Sequence, residues 1–160
     1  GELVLLADQD RSCWHRDEIA EGLTLVERAL RSGRPGPYAL QAAIAAVHAD
    51  AASAPETDWR QIAALYLELE RRVPTPVVAL NRAVAIAMAD GPERGLELVD
   101  RLVARGALDG YHLLWATRAD LLRRLGRSME ARIDYERALE IATSPAERAF
   151  LTRRIRDCAD

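Results

Sequence analysis

The chain of 160 residues contains no lysine, and all 22 of its basic residues are arginine. The codon bias of a GC-rich genome is the favoured explanation, and a demand for the two-pronged contacts that a guanidinium makes with carboxylates is the alternative. Acidic residues number 25, which leaves a net charge of −3. The sequence therefore lacks the basic footprint of nucleic-acid-binding proteins, and we expect no direct DNA binding by this chain.

Cysteines, aromatic residues and long apolar runs are also scarce. The two cysteines, Cys13 and Cys158, have no metal-binding spacing, and we expect reduced thiols in a cytoplasmic protein. We expect neither a signal peptide nor a membrane contact, because no apolar run is long enough to span a bilayer. Aromatic residues make up 5% and hydrophobic residues 49% of the chain, a balance that favours closely packed helices over a β-sandwich.

Motifs of catalysis and cofactor binding are missing as well. The sequence has no HExxH, no paired cysteines, no phosphate-binding loop and no GxSxG. Asp8, Asp10, Asp17 and Glu18 form an acidic cluster, but they lack the glycine and terminal glutamate of a calcium loop. We therefore expect no enzyme, no cofactor and no metal site.

What the sequence does contain is a series of helical patterns separated by single Pro and Gly residues. Thr57 and Thr75 are predicted caps, Ser128 a predicted helix start, and Pro76 a first helical residue. We predict eight helices, over about residues 14–32, 37–51, 58–73, 76–91, 92–106, 111–125, from 128 onward, and 145–158.

An internal repeat groups these helices into pairs. The segment LQAAIAA at 40–46 matches LNRAVAI at 80–86, and ATRADLL at 116–122 continues the series. Each copy of this first helix carries alanine where a neighbouring helix would approach closely: Ala43, Ala83 and Ala119.

Four second helices match each other in the same way. A small or branched residue begins each series, followed four and seven residues later by apolar ones: Gly22, Val26 and Ala29; Ile62, Tyr66 and Leu69; Gly95, Val99 and Leu102; Ala131, Tyr135 and Ala138. Since only three first helices are present, we expect a missing one just before Gly1 and a chain that is a fragment of a longer protein. The eighth helix is then the polar-faced cap of the array.

The last pair follows the offsets of a tetratricopeptide (TPR) repeat. Its large, small and turn positions are Trp115, Ala119, Leu122, Gly126, Ala131, Tyr135 and Ala138. One such hairpin cannot bury its apolar face alone, so neighbouring hairpins must stack on it. We predict an all-α, TPR-like α-solenoid of about eight helices that forms a single domain over residues 1–160.

The first helices of TPR arrays line a concave groove, so their polar residues are candidates for partner binding. The internal alignment makes two sets of residues equivalent. One set consists of the polar residues Gln41, Asn81 and Thr117, and the other of the cations Arg82 and Arg118. In one interpretation they clamp an extended peptide or its carboxylate. An equally weighted alternative is an intramolecular ion pair, for example of Arg118 with Asp120 or with a neighbouring repeat.

Two further short strings are candidate contact sites. Tyr111 and His112 follow a turn at Gly110, and we favour a structural role at a helix start over a ligand-facing patch beside Arg118 and Asp120. Asp10, Arg11 and Trp14 would anchor a partner, since Trp and Arg are enriched in binding hot spots. For Trp14 we favour packing of the first helix on the second.

Four strings together resemble a known family: LVLLADQDRSCW, GRPGPYALQAAIAAVHADA, PTPVVALNRAVAIAMADGP and LDGYHLLWATRADLLRRLGR. They are similar to the C-terminal extension of certain extracytoplasmic-function sigma factors of bacterial RNA polymerase, which carry a TPR-like domain after their promoter-binding regions. The resemblance covers residue 2 to about residue 156. It implies that the parent protein initiates transcription and that this extension regulates it by contact with the sigma regions, the polymerase core or a separate regulatory protein.

Three hypotheses about function follow. The leading one is a regulatory interaction domain of a sigma factor without catalysis. The second is a free-standing TPR adaptor that binds a peptide or subunit. The third is a small-molecule sensor with a ligand between helices near Tyr111, His112 and Arg118.

Overall fold

The computed structural model describes residues 9–31, 33 and 35–158. Regular structure in these residues is entirely helical, which confirms the predicted all-α class. Two short 3-10 turns, Arg11–Cys13 and Ala54–Glu56, accompany eight α-helices in this part of the chain. The helices are α1 (Arg16–Arg31), α2 (Pro37–Asp50), α3 (Trp59–Arg72), α4 (Pro76–Asp90), α5 (Pro92–Ala104), α6 (His112–Arg124), α7 (Ser128–Ile141) and α8 (Pro145–Asp157).

The helix starts show why these segments begin where they do. The backbone N–H of Val78 donates a hydrogen bond to Thr75 Oγ1 over 3.3 Å, so the predicted cap of α4 is confirmed. The prediction for α3 is wrong by one residue. The Gln61 N–H donates to Asp58 Oδ1 over 2.9 Å, because Asp58 directly precedes the first helical residue and its carboxylate reaches the third N–H of the helix. Thr57 is buried instead.

The chain divides within α4 into two compact units, one ending at Arg82 and the other beginning at Ala83. In the first unit α1 packs on α2 and α2 on α3. In the second unit α5 packs on α6, α6 on α7 and α7 on α8. All of these contacts join helices that are consecutive in the chain. The expectation of a single domain over residues 1–160 stays a prediction.

The three aligned alanines all lie in the core. Ala43 is 3% exposed, and Ala83 and Ala119 are fully buried. In the second unit, a Cβ added at Gly95 would overlap Ala87 Cβ and lie 3.0 Å from the carbonyl oxygen of Ala83. Glycine at this position therefore lets the backbones of α4 and α5 approach closely.

The turn between α6 and α7 has the geometry that the sequence indicates. Gly126 adopts a φ of 73°, in the left-handed region that glycine enters without steric cost. Its N–H donates to the carbonyl of Arg123, and the N–H of Arg127 donates to that of Leu122. These bonds satisfy carbonyls at the end of α6 and direct the chain into α7.

Among the described residues, no helix combines the length and the apolar character needed to cross a membrane.

Candidate functional site

The most strongly paired of the predicted site residues is Arg118, on α6. Its Nε donates to Asp100 Oδ1 of α5 over 2.6 Å, and its Nη1 donates to Asp134 Oδ2 of α7 over 2.7 Å. The Arg118 side chain is 22% exposed, and that of Asp134 is 5% exposed. One guanidinium therefore joins three consecutive helices of the second unit through two charged hydrogen bonds.

Burial and ion pairing together shift the pKa values of Arg118 and Asp134. Burial acts to lower the pKa of Arg118, and the hydrogen bonds and charges of Asp100 and Asp134 outweigh it, so the pKa is raised. Burial also raises the pKa of Asp134, although the Arg118 charge opposes this change. Asp134 is therefore a carboxylate that depends on Arg118 for its charge compensation.

Arg82, the equivalent cation of the first unit, makes a simpler pair. Its Nη1 donates to Glu70 Oε2 on α3 over 2.8 Å, and the two side chains are 28% and 29% exposed. Arg82 and Arg118 thus both bond a carboxylate on the helix that precedes their own. Both arginines therefore form intramolecular ion pairs, as in the alternative interpretation. A bound peptide would have to compete with these ion pairs.

The pairing of Arg118 with Asp120 that the sequence suggested is wrong. Asp120 accepts a hydrogen bond from Arg123 Nη2 over 2.7 Å, on its own helix. Spacing explains the difference, because residues two apart on a helix point in different directions, whereas residues three apart are neighbours. Of the aligned polar residues, Gln41 and Asn81 are exposed and Thr117 is half-buried.

Tyr111 and His112 lie at the start of α6. Tyr111 is the residue before the helix, and the two ring centroids are 5.9 Å apart. His112 Nε2 lies 3.4 Å from Glu147 Oε2 of α8, within ion-pairing distance when the imidazole is protonated. The favoured structural role at a helix start agrees with these contacts within the protein.

Trp115 fixes the loop that precedes these residues. Its side chain is 2% exposed, and its indole Nε1 donates to the carbonyl of Asp109 over 3.0 Å. The guanidinium carbon of Arg137 lies 3.7 Å from the ring centroid, a cation–π contact between α7 and α6. Trp115 therefore serves as an anchor for the Asp109–Gly110 loop.

Arg11 is buried in the first unit, at the C-terminal end of α2. Its Nη1 donates to the carbonyls of His48 and Ala51 over 3.1 and 2.6 Å, and its guanidinium carbon lies 5.0 Å from the Trp14 ring centroid. A cation at this end of a helix complements the helix dipole. Burial and the Arg11 charge lower the pKa of His48. Asp10 is exposed and accepts a weak bond from Cys13 Sγ at 3.7 Å.

A cavity of about 310 Å³ lies in the first unit, between α1, α2 and α3. Its apolar floor is framed by the carboxylates of Glu27, Asp50, Glu56 and Asp58. None of the sequence-predicted site residues lines it. Tyr111, which anchored the sensor hypothesis, lies in the second unit.

No group of three or more side chains able to hold a metal ion comes together in the described part of the chain. Asp8, one of the four acidic residues considered from sequence, lies outside that part.

The structure thus brings the predicted residues together only in part. Arg118 meets two carboxylates that sequence reasoning missed, Asp100 and Asp134. The sequence did contain a signal for Asp134. This charged residue directly precedes Tyr135, within the apolar pattern of α7, where a charge is unusual. The acidic rim of the cavity had no such signal, because its residues come from α1, the end of α2, a 3-10 turn and the residue before α3.

No family model and no solved structure matches the chain. The chain is 48% identical over 151 residues, 94% of its length, to an uncharacterized protein of Rhizobium meliloti (strain 1021). The matched region spans 35% of that relative's length.

Proposed function

We propose that this chain is a regulatory protein-interaction domain of an extracytoplasmic-function sigma factor of RNA polymerase. It acts in the cytoplasm and modulates transcription initiation by contact with the sigma regions, the polymerase core or a separate regulatory protein. It carries no catalysis and does not bind DNA itself. The observation that carries the proposal is the combination of four family-like strings between residues 3 and 127, within a resemblance that covers residue 2 to about residue 156.

The proposed architecture is a TPR-like α-solenoid. Three features support it: the aligned alanines are buried, the helix contacts within each unit join consecutive helices, and Gly126 makes the expected turn. Stacked helical pairs of this kind present extended binding surfaces and rarely carry chemistry. A role in regulated contact, rather than in a reaction, follows from that architecture.

The relative is long enough for such an arrangement. Because the match covers only 35% of the Rhizobium protein, most of that protein lies outside the region compared. We propose that the sigma regions occupy that additional length in the natural parent of this chain.

Promoter-dependent transcription tests the proposal directly. The full-length natural parent is compared with a truncation that lacks residues 1–160, in a reconstituted assay with core polymerase. We expect the truncation to change the yield of transcript several-fold. Equal yields from the two proteins would refute a regulatory role.

A matched pair of variants sharpens this experiment. Arg118→Ala in the full-length parent removes the contact that joins α5, α6 and α7, and we expect it to reproduce the effect of truncation. Arg132→Ala removes only an exposed pair with Glu136 on α7, and we expect wild-type yield. A free-standing adaptor, by contrast, would have no sigma regions in its natural parent and would bind its partner without polymerase.

A further inference from the structure

The cavity between α1, α2 and α3 is a groove that combines an apolar lining with several carboxylates. We call it the acidic groove. Its rim carries the carboxylates of Glu27, Asp50, Glu56 and Asp58, and no cationic side chain of the described residues lines it. Its floor is formed by Leu23, Val26, Ala43, Ala46, Val47 and Leu65.

Negative charge prevails at the rim. Arg31 Nη2 lies 3.0 Å from Glu27 Oε2, and Arg11 donates to the carbonyl of Ala51. Four carboxylates line the groove, and Arg31 pairs with one of them, Glu27.

Asp50 contributes nothing to the fold that the structure reveals. It is the last residue of α2, where the helix dipole is negative and a carboxylate is unfavourable. No hydrogen bond or ion pair links its side chain to another described residue. The carbonyls at this helix end are satisfied by Arg11 instead. An exposed carboxylate in an unfavourable place, beside an apolar floor, indicates a cation that comes from outside this unit.

We propose that the acidic groove binds a basic amphipathic segment of a partner protein. Aliphatic side chains of that segment lie on the floor, and its Arg or Lys side chains reach the rim carboxylates. Long basic side chains suit this site, because their stems cover apolar surface while their charged ends reach the rim. Electrostatic complementarity selects such a partner and rejects nucleic acid and acidic peptides.

The size of the groove agrees with this occupant. About 310 Å³ lies at the lower end of the range of ligand pockets, which is about 300–1,000 Å³. The groove therefore accepts a few side chains of a segment that continues beyond it, as in helix-in-groove recognition. This binding site rests on the proposed function as a protein-interaction domain. It adds to that function one binding surface, the acidic groove, and one class of partner, a basic amphipathic segment.

Fluorescence anisotropy with a defined probe tests the proposal. The probe is a labelled peptide of about 16 residues built of Leu, Arg and Ala, with Leu at every third or fourth position. We expect the 160-residue protein to bind it with a Kd in the micromolar range, weakened by added salt. A control peptide with every Arg replaced by Glu should not bind at concentrations up to about 1 mM.

Paired variants locate the binding surface. We expect Asp50→Asn with Glu56→Gln to weaken binding about tenfold, because two exposed rim charges are lost. Glu136→Gln with Glu140→Gln, two exposed residues of α7, removes the same charge elsewhere and should leave the Kd within about twofold. Both double variants should melt at the wild-type temperature.

A third variant tests the floor. Ala46→Arg places a guanidinium inside the groove and should abolish binding of the Arg peptide while circular dichroism reports an intact fold. The proposal is overturned by equal binding of the Glu peptide, by equal losses in the two double variants, or by binding of arginine amide as tight as that of the peptide. Because the assay contains no polymerase, its failure leaves the transcription comparison to decide the proposed function.

Discussion

Gly22 in α1 and Gly95 in α5 occupy the same position of the internal repeat, but their surroundings differ. Gly95 is buried, and an added Cβ there would overlap Ala87 Cβ of α4. An added Cβ at Gly22 would have no atom of the described structure within 4 Å. This repeat position therefore contacts a neighbouring helix in the second unit, whereas in the first unit it faces open space.

The rest of the two helices follows the same contrast. Val99 and Leu102 of α5 are buried, whereas the equivalent Val26 and Ala29 of α1 are only half-buried. No residue of α1 whose side chain is described is fully buried. The repeat thus determines the type of residue at each position, but burial depends on a preceding helix. That helix is α4 for α5, and α1 has no equivalent among the described residues.

The largest effect that separates the units concerns their aligned arginines. We expect Arg118→Ala to lower the free energy of unfolding by about 3 kcal/mol, because it leaves the buried Asp134 without its cation. Arg82→Ala should cost about 1 kcal/mol or less, since the pair with Glu70 is more exposed. Urea denaturation of the two variants measures the difference. Equal losses in the free energy of unfolding would show that the two ion pairs contribute equally to stability and would contradict this prediction.

The aligned alanines should respond less strongly. Ala119→Leu should cost about 1–3 kcal/mol, because a fully buried site must accept extra methyl groups. Ala43→Leu should cost less, since Ala43 lines the acidic groove and a cavity can take up part of the added volume. Thermal melting of both variants tests this order. A melting temperature unchanged by Ala119→Leu would contradict the register of the repeat.

The smallest expected difference lies in the response to pH. The pKa of His48 is lowered from 6.5, so the unfolded chain takes up the proton first. The stability that neutral His48 contributes is therefore present above pH 6.5 and lost as the pH falls through the lowered pKa. The pKa of Asp134 is raised from 3.8, so its folded form binds a proton more readily and its contribution to stability grows as the pH falls through the raised value.

Single variants isolate these two contributions. His48→Gln should remove the acid-induced loss in the first unit, and Asp134→Asn should remove the opposite trend in the second. Amide hydrogen exchange between neutral and mildly acidic pH reports the two units separately. If the contributions of His48 and Asp134 to stability changed in the same direction with pH, the opposite effects predicted for these two residues would be contradicted.

Local signals predicted much of the fold. Hydrophobic spacing, single prolines and glycines, and the Thr75 cap indicated the helices, because each depends on residues within one turn. The sequence predicts Thr57 as the cap of α3 where the structure has Asp58, since both residue types favour this position and only the first helical residue decides between them.

Contacts between distant residues were harder to predict. The partners of Arg118 are 18 and 16 residues away along the chain, and spacing on a single helix could not identify them. The acidic groove required three helices to be placed before its rim became visible. The resemblance to sigma-factor extensions remains a prediction that only experiments on the parent protein test.

The central claim is that repeat position sets residue type while a preceding helix sets burial, and two alanine substitutions test it most directly. Gly95→Ala should destabilise the protein by about 1–3 kcal/mol, since its Cβ meets the backbone and side chain of α4. Gly22→Ala should stabilise it by about 0.5–1 kcal/mol, because alanine favours the helix and meets open space. Opposite signs in urea denaturation are the predicted result, and two losses of similar size would contradict the account.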